Sequence, residues 1–142
     1  MIDIPAIERA IARIPYAKTL GITPAEMDGE FTLILPYIKN NIGNISLPAL
    51  HGGAISGFME MTAISKLLLT ASDQGTKYKA LPKPIGINVD YLRKGKPETT
   101  YARAVIFKHG NRVANVHVRA WQDDYEDPIA TMHGNYLITK PE

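Results

Sequence analysis

The sequence predicts an α+β fold, in which a curved antiparallel sheet wraps around one central, apolar helix. Two observations carry this reading. Residues Gly52 to Ala71 lack strand alternation, are rich in good helix formers and leave no wide polar face, the pattern of a buried helix. From Ile85 onward the chain reads as successive strands separated by turn signals. One greasy helix beside a strand-rich half is buried most simply by a sheet laid over it.

Taken in order, Ile7, Ala10, Ile11 and Ile14 recur at helical spacing and predict an amphipathic N-terminal helix within residues 1–16, with Pro15 discouraging its continuation. Gly21 to Glu26 and Glu30 to Tyr37 read as short strands joined at Asp28-Gly29, a hairpin turn signal. Asn40 to Leu50 is a loop of Asn, Gly and Pro leading into the central helix, residues 52–71, and Ser72 to Pro84 is a polar loop. Residues 85–139 then form a strand meander: Ile85–Leu92, Thr100–Lys108, Arg112–Gln122 and Ile129–Thr139. In the third of these, Val113, Asn115, His117 and Arg119 alternate with Ala114, Val116, Val118 and Ala120, a period of two. With no repeat and no linker, residues 1–142 are one domain.

Composition narrows the function. Hydrophobic residues make up 45% and charged residues 21%, enough for one ordinary core and unlike a disordered chain. A net charge of +2, with no basic stripe interleaved with aromatics, speaks against nucleic acid but suits a small anionic ligand. The absence of cysteine excludes disulfides, thiolate metal sites and a cysteine nucleophile. His51, His109, His117 and His133 show no metal-binding spacing, and no phosphate-binding or dinucleotide loop is present, so neither a metal nor a resident cofactor is expected. The N-terminus lacks the basic start and apolar core of a signal peptide. The most apolar stretch, Ala54 to Ala71, holds Glu60 and Lys66, which speaks against a membrane span. A cytoplasmic protein is expected.

Chemistry concentrates in Leu50 to Glu60. Two glycines at a loop-to-helix junction allow close approach to the backbone, and the first helical turn offers unpaired amides at the positive end of the macrodipole. Such amides can hold an oxyanion, with His51 beside them to orient a ligand; equally, His51 can simply satisfy backbone groups at the helix start. Glu60 is the one acid between Gly52 and Ala71. A carboxylate in an apolar helix needs a partner or a purpose: it can attack a carbonyl or activate water, or it can pair with Lys66, Arg93 or Arg103. Glu60 lies seven positions after Gly53, about 10 Å of helical rise, so one copy does not readily aim both at one carbonyl. Two copies with antiparallel helices, related by a two-fold axis, would pair the helix start of one with Glu60 of the other.

His51-Gly52-Gly53, the acid nine positions after the histidine, and Asn88-Val89-Asp90-Tyr91-Leu92-Arg93 resemble the phenylacetate-type (PaaI-like) hotdog thioesterases over nearly the whole chain. The resemblance implies a hotdog fold, a homodimer or dimer of dimers with shared active sites, and hydrolysis of acyl-CoA thioesters, coenzyme A entering as part of the substrate. It implies an oxyanion amide at Gly53, a substrate-orienting His51 and Glu60 as nucleophile or general base. The family often has an asparagine six positions before the histidine, where this chain has Ile45, and Asn44 is the nearest substitute. A serine that helps position water in some members is replaced by Pro84, and the commoner aspartate by Glu60. Substrate contacts are expected from Gly52, Phe58 and Met59, and, for the phosphates of coenzyme A, from Arg93, Lys94, Lys108 and Asn111. The alternative is a hotdog module that binds acyl-CoA or lipid without turning it over.

Overall fold

The computed structural model describes residues 2–139. Its spine is helix α3, Gly52–Asp73. Before it come α1, Ile4–Ala12, α2, Pro15–Leu20, and strands β1, Thr23–Met27, β2, Glu30–Leu35, β3, Ile42–Asn44, and β4, Ala49–Leu50. After it come β5, Lys83–Tyr91, β6, Thr100–His109, β7, Val113–Trp121, and β8, Ala130–Leu137.

The N-terminal helix begins where Asp3 accepts the Ala6 N–H at 3.1 Å, and it buries Ile7 and Ile11. Pro15 does more than stop it. Fixed in φ and lacking an N–H, it opens a second short helix, α2, which closes on Gly21 at φ +77°. The expected hairpin forms with Asp28 and Gly29 both at positive φ, as a tight two-residue turn requires. The Asn40–Leu50 segment, expected as loop, pairs β3 with β4 and so fixes the entry into α3.

Six strands form one antiparallel sheet in the order β1-β2-β6-β7-β8-β5. The second half is therefore not a simple meander. β6, β7 and β8 follow one another in space, but β5 lies beyond β8 at the far edge, and β6 pairs with β2. The connection at residues 92–99, with Gly95 and Pro97, does not close a hairpin. It runs across the end of the sheet, where Leu92 N–H donates to Ile129 O and Gly95 O accepts from Leu50 N–H. The face toward α3 is lined by small or slender residues, Ala102, Ala104, Val116, Val118, Ala120, Ala130 and Met132, all buried, so the helix sits close. By length and composition Gly52–Asp73 could cross a bilayer, yet most of it is buried inside this fold, as a core helix is. The fold is the α+β hotdog architecture, a curved sheet around a long central helix.

Candidate active site

The start of α3 is built by its neighbours. His51 N–H donates to Asn41 O at 2.7 Å, and Asn41, itself buried, donates from its amide to Leu20 O. His51 is the N-cap: in extended backbone, its Nδ1 accepts the Gly53 N–H at 2.8 Å. The expected oxyanion amide is thus already engaged by the neighbouring histidine. An accepting Nδ1 carries no proton, so the neutral ring holds it at Nε2.

Gly53 has a local reason: a Cβ there would lie 2.9 Å from His51 Nδ1. Gly52 lies against the Tyr91 ring, where a Cβ would make ordinary contact at 3.4 Å, and the Tyr91 hydroxyl donates to Gly52 O at 2.8 Å. Beside them Leu50, Gly52, Ile55, Tyr91, Arg93 and Lys94 line an open cleft of about 310 Å³.

Gly53, Ser56 and Glu60 share one face of α3, and this strip stays partly exposed while the neighbouring positions are buried. Among the described residues Glu60 makes no ion pair: Arg93 is bound bidentately by Asp127, and Arg103 by Asp28 and Thr32. Burial raises the Glu60 carboxyl above its ordinary range. Tyr136 lies behind it, fully buried, its hydroxyl donating to Glu60 O at 3.3 Å. The Tyr136 phenol is pushed up first by burial and then by the charge of Glu60. Gly134 leaves room for the Tyr136 ring, since a Cβ there would sit 2.8 Å from its Cε1.

The remaining expected residues are dispersed. Asn44 is exposed and its Oδ1 accepts from Ser46 N–H and Leu47 N–H, capping a turn. Phe58 and Met59 are fully buried in the core. Lys108 and Asn111 lie at the β6–β7 turn, near the Lys83 end of β5, whereas Arg93 and Lys94 follow its Tyr91 end, about 26 Å away along the strand. Tyr91, within the motif that carries the resemblance, and Tyr136 are expected only to pack in or near the sheet, and Asn41 is given no role; tyrosine in strands and asparagine in a loop are too common to signal contact with a distant helix.

A profile of the acyl-CoA thioesterase N-terminal domain family matches residues 42–137, from β3 through β8. The chain belongs to the acyl-CoA thioesterase family. The chain is 24% identical to the medium/long-chain acyl-CoA thioesterase YigI of Escherichia coli, over 92% of this chain and 90% of that one. A crystal structure from Chromobacterium violaceum superposes with a TM-score of 0.74 at 35% identity, covering 99% of this chain and 94% of the other. A Ralstonia eutropha protein described as phenylacetic acid degradation-related superposes with a TM-score of 0.73 at 17% identity, covering 92% and 98%. The family match bears out the acyl-CoA thioesterase resemblance and the superpositions bear out the hotdog fold, and as an acyl-CoA thioesterase the protein acts on thioester bonds.

Proposed function

We propose that this thioesterase hydrolyses medium- or long-chain acyl-CoA at two equivalent sites in a homodimer, each formed by the α3 tip of one copy and Glu60 of the other. The observation that carries this reading is the Glu60 carboxyl: half-buried, without an ion-pair partner among the described residues, on the same partly exposed strip as the Gly53 amide yet about 10 Å from it along the helix. Antiparallel α3 helices close that gap.

In this mechanism His51 releases the Gly53 amide as the substrate binds, and the amide receives the thioester oxygen. Glu60 takes a proton from water, hydroxide adds to the carbonyl carbon, the C–S bond breaks, and the proton passes to the departing sulfur. A carboxyl raised by burial is a stronger base than free glutamate, which favours this route over direct attack. Arg93 and Lys94, at the cleft beside Gly52, face the phosphates of coenzyme A.

Glu60→Gln is expected to lower kcat by about a thousandfold while leaving acyl-CoA binding in place. Free-thiol release checks the first and calorimetry the second. Full turnover in this variant sinks the mechanism. The engagement of Gly53 by His51 and of Asn44 in its own turn favour the rival reading, a binding module; tight binding without thiol release from any acyl-CoA would establish that instead.

A further inference from the structure

Helix α3 carries a glycine past its first turn, Gly57, at negative φ and five residues from the helix start. Glycine weakens a helix there, so its presence points to a neighbour that needs the space. That neighbour is Tyr16. A Cβ on Gly57 would lie 2.6 Å from Tyr16 Cε2 and 3.3 Å from its hydroxyl. Tyr16 stands just after Pro15 in α2, a helix pinned by buried Ala17 and Leu20 and closed by Gly21. The ring is thus seated on α3, yet 46% of it remains exposed.

Its position gives that exposure a purpose. Gly57 lies about one turn from both Gly53 and Glu60, roughly 5 Å along the axis. The exposed strip of α3 therefore has two unlike borders. On the β5 side, Tyr91 holds Gly52 next to the basic Arg93-Lys94 turn. On the α2 side stands the Tyr16 ring, and the nearest cation on that helix, Lys18, is two residues on and faces away. A CoA thioester has one polyanionic end and one apolar end. The basic border suits the first, and a fixed aromatic face suits the second.

We propose that Tyr16, seated on Gly57, is a specificity-determining wall of the acyl site that limits the length of the acyl group. This rests on the hydrolytic reading above for the location of the site.

The test compares octanoyl and palmitoyl substrates in two ways: kcat/KM for the thioesters, and Kd for the non-hydrolysable thioether analogues. Tyr16→Ala is expected to raise the palmitoyl-to-octanoyl preference about tenfold in both measurements. Tyr16→Phe keeps the wild-type preference, because the ring and not the hydroxyl forms the wall. Gly57→Ala, which unseats the ring without removing it, shifts the preference in the same direction and serves if Tyr16→Ala does not fold. A preference within about twofold of wild type in both Tyr16→Ala and Gly57→Ala, or a shift toward the shorter chain, overturns the proposal. The binding arm keeps the two readings apart: a shifted Kd ratio without thiol release from wild type would overturn hydrolysis and leave Tyr16 as the wall. Failure of wild type to bind either analogue overturns both.

Discussion

The amide of Gly53 has two claimants, the imidazole that caps the helix and the substrate oxygen it is proposed to hold. Removing the first separates them. His51→Ala is expected to cost about 1 kcal/mol of stability, the usual worth of an N-cap, read as a lower urea midpoint at unchanged m-value. Glu60 has a comparable tension. Its folded-state pKa is raised, so the folded protein prefers the protonated form, and stability falls as pH climbs through that pKa. The base in the mechanism is the ionised form, so activity rises over the same window. The acid limb of kcat/KM is therefore expected above the ordinary glutamate value of 4.5, measured by thiol release across pH. Glu60→Gln removes the cost of ionisation and is expected to raise Tm by about 2 °C at neutral pH while losing activity. At this scale the sequence marks His51, Gly53 and Glu60 because their chemistry is unusual for a helix start and a helix interior. It marks Asn44 and Phe58 too, but a turn consumes the side chain of one and the core that of the other, and neither outcome is written in residue type.

Among the elements, α3 was legible almost to the residue, because an apolar run of that length with helix formers has one comfortable place in a domain this small. The strands were legible for the same reason of period. Their order was not: alternation says which face is buried, never which strand lies alongside, and β5 lies beyond β8 because residues 92–99 cross the sheet end. That placement leaves β5 as an edge whose helix-side residues are open, with Ile85 at 56%, Ile87 at 39% and Tyr91 at 54% exposure. In the proposed dimer this edge is where a second copy pairs. Ile87→Asp is expected to elute as a monomer in size-exclusion chromatography and to lose at least about tenfold in turnover, although Ile87 is remote from the Gly53 amide.

For the whole molecule, the proposed sharing of the site makes a prediction that no single-chain enzyme obeys. Glu60→Gln and Gly53→Val chains, each inactive alone, are expected to recover about a quarter of wild-type activity when unfolded together and refolded as a mixture. Half the dimers are then mixed, and each mixed dimer has one intact site and one doubly damaged site. No recovery, with mixed dimers demonstrated by mass spectrometry, would mean that both groups act within one chain. The proposed sharing of the site draws on the rise of a helix alone, whereas the β5 edge proposed to join the copies depends on strand order, which only the fold supplies.

The uncovered β5 edge also bears on how the protein survives dilution. An edge strand with two exposed isoleucines, Ile85 and Ile87, is a template for another extended chain. In the proposed dimer, separation of the two copies would then be hard to reverse, since each released edge competes between its proper mate and misregistered stacking. In the proposed dimer, a strand-blocking lysine on that edge should raise solubility at the expense of the enzyme.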